Sequence, residues 1–188
     1  AALAAVTFSN SSDAPNSTDR NITVQVNDGT SASNSAVTTI VVTPVNDAPV
    51  AEANSYVTGP NTLLTGVNLI TDDANGGAAG GVDRDIDGAA LTLASINGTA
   101  WASLAGGTDP AHLAANGWKQ VTLAHGTLYV NSDGSADYQP ADMVGDSFTY
   151  TVTDGSAESN AAAVAIGIEA NVRPTLGDTA LTLTVAED

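Results

Sequence analysis

The chain has no cysteine and only four basic residues among its 188. Without cysteine it can form neither a disulfide framework nor a thiolate metal site. The 21 Asp and Glu residues give a formal charge of −17, so nucleic acid and anionic membranes are disfavoured as partners because they repel such a surface. No apolar run approaches the roughly 18 residues that cross a bilayer, and we therefore expect no membrane insertion.

Aromatic residues are also scarce, at 4% of the sequence, whereas the hydrophobic fraction of 43% is ordinary and rich in Ala and Val. We therefore expect thin cores built from small side chains. The acidic surface suits hard cations such as Ca²⁺, which take carboxylate and carbonyl oxygens. The alternative is that the charge serves only solubility.

One sequence pattern occurs twice, which indicates a modular chain. The first copy consists of Val26–Gly29, Ser33–Asn34 and Asn46–Pro49, and the second of Val152–Gly155, Ser159–Asn160 and Asn171–Pro174. The copies differ at the linker, where Asp47 and Ala48 of the first are replaced by Val172 and Arg173 in the second.

Short β-branched runs separated by Gly, Asn, Asp and Ser predict an all-β fold, an antiparallel β-sandwich. The expected strands are 6–8, 22–26, 37–42, 91–93, 121–123, 127–130, 147–153 and 163–168. Asp133-Gly134 predicts a hairpin turn. One helix is expected at 110–116, with Asp109 as its cap, Pro110 at its first position and Gly117 at its end.

The Pro-bearing linkers divide the chain into five segments. We expect part of a first domain at 1–44, a linker at 45–50, a complete domain at 51–170, a linker at 171–175 and one strand of a further domain at 176–188. The incomplete ends are interpreted as portions of neighbouring domains. The alternative is strand exchange between neighbouring molecules, as in a filament.

Asp83-Arg84-Asp85-Ile86-Asp87-Gly88 is the sharpest local motif. Alternate carboxylates can converge on one cation, and the glycine permits the tight turn, as at the start of an EF-hand loop. The Glu that would complete an EF-hand is replaced by Ala94, so any further ligands must come from elsewhere. The alternative is a solvated acidic loop, although three like charges so close in sequence repel one another unless they are neutralised.

These features resemble a known family. Asp19-Arg20, the strand 22–26, Asp28-Gly29 and the linker 45–50 resemble the end of a cadherin-type repeat. The stretch from Gly126 to Gly155 is similar to bacterial cadherin-like repeats of RTX- and VCBS-type secreted adhesins. The resemblance implies Greek-key β-sandwich repeats in tandem, with neighbouring repeats of the same polypeptide as partners and an address at the bacterial cell surface.

The resemblance also implies a calcium site at the first junction. Its expected ligands are Asp19, the Asn46 carbonyl, Asp47, Asp83, Asp85 and Asp87, with Asp72 and Asp73 on the same rim. Asn21 replaces the Glu of the family's acidic motif. At the second junction Val172 replaces the linker Asp, so weak or absent calcium binding is expected there, with Arg173 supplying a positive charge. Glu187 fits the position that serves a following junction, whereas Thr62 does not.

Nothing in the sequence favours an enzyme. His112 and His125 have no metal-ligand partner at the usual spacing, and there is no G-x-S-x-G motif. Trp101 and Trp118 fall in a stretch that the repeat pattern does not explain. They are candidates for stacking on a glycan or another surface ligand, or for filling an Ala-rich core. The sequence therefore predicts a calcium-stiffened spacer of an adhesin, with a glycan- or peptide-binding module as the alternative.

Overall fold

The computed structural model of the chain describes residues 7–73 and 81–169. Within these residues the chain forms twelve strands and two short 3-10 turns. The strands are β1 Arg20–Val24, β2 Ala36–Ile40, β3 Asn54–Thr58, β4 Leu64–Asn68, β5 Thr92–Ile96, β6 Thr99–Ala100, β7 Ala105–Gly106, β8 Lys119–Thr122, β9 Gly126–Val130, β10 Ser135–Pro140, β11 Asp146–Thr153 and β12 Ala162–Ile168.

The first segment is a hairpin in which β1 and β2 pair antiparallel, from Arg20 opposite Ile40 to Val24 opposite Ala36. Its side chains remain largely exposed. The strand expected at 6–8 is not formed by its described residues, Thr7 and Phe8. The first segment thus contributes two described strands rather than about three, because the chain before Arg20 finds no strand partner among them.

The remaining strands form two five-stranded sheets with the orders β3-β12-β11-β5-β6 and β4-β10-β9-β8-β7. All pairs in the two sheets are antiparallel except β3–β12, which is parallel from Asn54 opposite Val164 to Thr58 opposite Ile168. The prediction of an all-β fold, an antiparallel sandwich, is confirmed.

Alternation along the strands produces the core, since successive side chains of a strand point to opposite faces. In β11 every second residue is buried, and β9 and β10 follow the same rule. The core is less slender than its composition suggests, because Tyr138 and Tyr150 are both only 1% exposed. Each tyrosine has a polar partner for its hydroxyl, and this is what allows its burial.

The predicted helix at 110–116 is wrong. Asp109 does accept a hydrogen bond from the Ala111 amide at 2.9 Å, and Gly117 does adopt the left-handed conformation with φ of 87°. Between them only a 3-10 turn, Ala114–Asn116, forms. Tertiary contacts prevent the helix, because the His112 side chain packs on the sheet through contacts described below.

The turns divide between the two ends of the sandwich. At the linker end, the Asn68 side chain bonds the Asp133 carbonyl and the Asn46 side chain bonds Asp154. The opposite end holds the β8–β9 and β10–β11 turns, where His125 lies beside Asp142. The acidic loop of residues 83–88 lies at the linker end.

Candidate metal centre at the first linker

The linker is held against the acidic loop by main-chain bonds. Val50 and Arg84 form an isolated antiparallel bridge, with N–O distances of 2.8 and 3.0 Å in its two hydrogen bonds. The Arg84 guanidinium then reaches Glu52 at 3.0 Å on the surface. The loop carboxylates therefore stand beside the linker as the sequence predicts.

Asp83 is the most buried of the candidate ligands, at 6% exposure. Its Oδ1 accepts hydrogen bonds from the Glu52 amide at 2.7 Å and from the Tyr150 hydroxyl at 3.0 Å. Its Oδ2 is buried without a hydrogen-bond partner. Burial raises the pKa of the Asp83 carboxyl to about 6 against the lowering effect of these two donors, so the folded protein holds this negative charge at a cost.

Asp85 organises the loop with one oxygen and leaves the other free. Its Oδ1 accepts the Asp87 amide at 2.7 Å, and its main-chain carbonyl accepts the Gly88 amide at 3.2 Å. Gly88 has φ of +77°, a conformation that glycine adopts without strain. Oδ2 of Asp85, like that of Asp83, is buried without a hydrogen-bond partner.

The linker contributes two further polar contacts. The Asp47 amide donates to Oδ2 of Asp87 at 2.8 Å, and the Asn46 side chain donates to Oδ2 of Asp154 at 2.8 Å. Asp154 was not among the predicted site residues. Its other oxygen accepts the Ser156 and Ala157 amides, and these bonds together with the Asn46 contact hold its pKa below the usual value.

The remaining candidates make no hydrogen bond to this cluster within the described residues. Asp72 accepts the Asn68 amide at 2.7 Å and lies 3.3 Å from the Tyr56 hydroxyl, so it closes a local turn. Asp19 and Asp73 are exposed, and within residues 7–73 and 81–169 no hydrogen bond joins them to the loop. The described residues contain no group of three or more Asp, Glu or His side chains arranged to hold a metal ion.

One observation nevertheless fits a cation. Among the described residues, the buried side-chain oxygens without a hydrogen-bond partner are Oδ2 of Asp83 and Oδ2 of Asp85, both in the D-x-D-x-D-G loop. Carboxylate oxygens are groups that a hard cation binds. A buried carboxylate oxygen without a hydrogen bond is costly, and a cation would remove that cost. The predicted second junction, with Val172, Arg173 and Glu187, lies outside the described residues.

The two tryptophans lie in different surroundings. Trp101 packs against the core and has the Lys119 ammonium 5.8 Å from its ring centroid. Trp118 instead meets the edge of the His112 ring, with centroids 4.8 Å apart. The core-filling alternative thus fits Trp101, and the ligand alternative stays a prediction.

The sequence model of the bacterial cadherin-like domain matches residues 46–170, from the linker Asn46 through the whole sandwich. The chain belongs to the bacterial cadherin-like domain family. A search of curated proteins finds no match to it. The cadherin-like sandwich is a non-catalytic, adhesion-type fold, and this one fits an extracellular repeat of an adhesin. Within the described part of the chain, no helix is long and apolar enough to cross a membrane.

Proposed function

We propose that the chain is a calcium-stiffened segment of a large secreted adhesin of the RTX or VCBS type, in which tandem cadherin-like repeats act as a spacer in surface or biofilm adhesion. The observation that carries the proposal is the pair of buried, unpartnered oxygens on Asp83 and Asp85. They lie in the loop onto which the linker docks through Asp47 and Val50.

Calcium would be held by Asp83, Asp85 and Asp87 from the domain and by Asp47 from the linker. Asp19, Asn46, Asp72 and Asp73 stay candidates for completing its coordination. When bound, the ion supplies positive charge to carboxylates that otherwise repel one another. Because its ligands come from both the domain and the linker, binding would restrict the angle between the repeats.

The linker contacts the domain directly through its own hydrogen bonds. The Val50–Arg84 bridge fixes the end of the linker nearest the domain, and the Asp47 and Asn46 contacts extend the attachment toward the first segment. These contacts are few, and those of Asp47 and Asn46 are exposed, so we expect them to break readily without the ion. At the second junction, where Val172 replaces the linker Asp, weak or absent calcium binding stays the expectation.

Calorimetry with Ca²⁺, together with thermal unfolding in calcium and in EDTA, tests the proposal. Extracellular modules bind Ca²⁺ with Kd of about 10⁻⁴ to 10⁻³ M. At roughly 10 mM Ca²⁺ such a site stabilises the folded state by about 1.4 to 2.7 kcal/mol. We therefore expect the Tm to rise by roughly 5 to 10 °C.

Asp85→Asn is the decisive variant, because it keeps the loop acceptor while removing the charge and the free oxygen. It should weaken calcium binding by roughly tenfold or more. Asp142→Asn is the matched control, since Asp142 also caps its own turn, by accepting the Val144 amide at 2.8 Å, but at the opposite end of the sandwich. Equal Tm values in calcium and EDTA, or unchanged calcium affinity in Asp85→Asn, would contradict the proposal.

A further inference from the structure

The stretch that departs from the repeat pattern folds over the outer face of one sheet. The outward-facing residues of β9 and β10 alternate with buried ones, so Tyr129 and Asp137 point away from the core. His112 lies on this face and is 4% exposed. His112 is thus the centre of a second polar cluster, which shares no residue with the candidate calcium site.

His112 is fixed from four directions. Its Nδ1 lies 2.9 Å from Asp109 and its Nε2 lies 2.7 Å from Asp137. Its ring stacks on Tyr129 with centroids 4.2 Å apart and meets the Trp118 ring edge-on. Both ring nitrogens thus face a carboxylate oxygen, and the ring is held between Asp109 and Asp137.

This arrangement positions Trp118 beside an open groove of about 380 Å³. The groove is lined by Trp118, by Ser135 and Asp137 of β10, and by Thr65 and Asn68 of the neighbouring β4. An aromatic ring whose surroundings are already ordered loses little freedom when a ligand stacks on it.

Asp137 retains hydrogen-bonding capacity toward the groove. Its Oδ1 accepts the Gly66 amide at 3.2 Å and its Oδ2 faces His112. A carboxylate has about four acceptor positions, and two of these are used. The Asp137 side chain is 18% exposed, so a ligand hydroxyl can reach the remaining positions and form a charge-assisted bond.

The main chain beside the groove is already paired within the sheet. Pairing between β10 and β4 shifts register between Ala136 and Tyr138, and Gly66 there has φ of +74° with its amide turned to Asp137. A polyhydroxylated ligand needs no unpaired main-chain group, because polar side chains can hold its hydroxyl groups.

The negative charge of the protein further restricts the chemical class of the ligand. The chain carries −17 overall and Asp137 lies in the groove, so an anionic polysaccharide would be repelled. A neutral sugar offers an apolar ring face to Trp118 and hydroxyl donors to Asp137. We propose that the groove between Trp118 and β4 is a binding site for a neutral saccharide, with Trp118 as its stacking platform and Asp137 as its hydroxyl acceptor.

Affinity electrophoresis of the whole chain in calcium-containing gels tests this proposal. The gels contain dextran, pullulan, xylan, galactomannan or laminarin as neutral probes, and alginate as an anionic one. At least one neutral polysaccharide should retard the wild-type protein. Trp118→Ala should reduce that retardation by roughly tenfold or more, because the stacking residue is the expected hot spot.

Trp101→Phe is the matched control and also a reporter. The chain has two tryptophans, so in this variant the fluorescence comes from Trp118 alone and should shift on titration with the retarding polysaccharide. Trp118→Phe, which leaves Trp101 alone, should show no shift. Equal thermal unfolding midpoints of Trp118→Ala and the wild-type protein would show that the variant is folded. Absence of retardation by every neutral probe, retardation by alginate alone, or undiminished retardation of Trp118→Ala would overturn the proposal.

Discussion

The Tyr150 hydroxyl links the sandwich core to the candidate metal loop, and its removal is our most quantitative prediction. The oxygen lies 2.7 Å from the Leu69 carbonyl, 2.9 Å from the Glu52 carbonyl and 3.0 Å from Oδ1 of Asp83. Tyr150→Phe keeps the ring, which is 1% exposed, and deletes only the hydroxyl, which also accepts from the Asn54 side chain at 3.4 Å. No carbon atom is lost, so the change tests hydrogen bonding rather than packing.

The expected loss follows from what each acceptor retains. The Leu69 carbonyl keeps a bond from the Asn54 side chain and Asp83 keeps one from the Glu52 amide, so neither of these two oxygens is assigned the full cost of isolation. A buried hydrogen bond shared with a charged group contributes about 1.5 to 3 kcal/mol. We therefore expect Tyr150→Phe to lower the free energy of unfolding by about 2 kcal/mol, or roughly 8 °C in Tm.

Urea unfolding in EDTA measures this value without a contribution from calcium, and an unchanged m value would show that the unfolding reaction is the same. Tyr129→Phe is the matched control, because its half-buried ring stacks on His112 and a phenylalanine preserves that contact. It should cost less than about 0.5 kcal/mol. A loss in Tyr150→Phe no larger than that of Tyr129→Phe would refute the assignment of the hydroxyl as the link between core and loop.

Two further predictions concern the turns. A hydrogen bond to Asp142 raises the pKa of His125 against a smaller effect of desolvation. The stabilisation from this pair is therefore present below pH 6.5 and is lost as the pH rises through the higher folded-state pKa of His125. Asp142→Asn should lower the His125 pKa measured by NMR and flatten this pH dependence, and an unchanged pKa would contradict the contact. Gly134→Ala should lower the free energy of unfolding in urea by about 2 kcal/mol or more, because φ is +88° and the new Cβ would lie 2.5 Å from the Asn68 side chain. Gly155→Ala, at φ +94°, meets no atom within 4 Å and should cost only about 1 kcal/mol of backbone strain. Equal losses in the two variants would contradict the steric reasoning.

The sequence predicts the elements that depend on local pattern. The Asp133-Gly134 turn forms between β9 and β10, with the Gly134 amide bonded to the Asn131 carbonyl. The alternating runs that become β9, β11 and β12 are found within a residue or two of their expected bounds. In each case the signal and the structure have the same cause, since period-two burial is a property of the strand itself.

Elements that depend on distant partners were missed. The sequence pattern does not predict β3, because its first residue, Asn54, is polar. In the structure Asn54 is 2% exposed and its side chain donates to the Leu69 carbonyl. β10 was overlooked because Asp137 and Gln139 occupy its outer face and Pro140 ends it. The helix expected before Gly117 fails because the contacts of His112 with β9 and β10 outweigh a local preference.

The candidate site shows the same division. The D-x-D-x-D-G spacing identified Asp83 and Asp85, the two residues that carry unpartnered buried oxygens. Asp154 was missed, although it belongs to the duplicated pattern, because its linker partner Asn46 is 108 residues away in the sequence. A contact across that distance is set by the fold, and no local motif encodes it.

The parallel pairing of β3 with β12 has a consequence for a protein under tension. The domain is entered just before Asn54 and left just after Ile168, and these residues lie at opposite ends of the paired strands. A pulling force applied through the two flanking segments therefore slides the strands along each other in shear. All the hydrogen bonds between them must then yield together rather than unzip one at a time, so this strand pair is where the folded domain would resist extension.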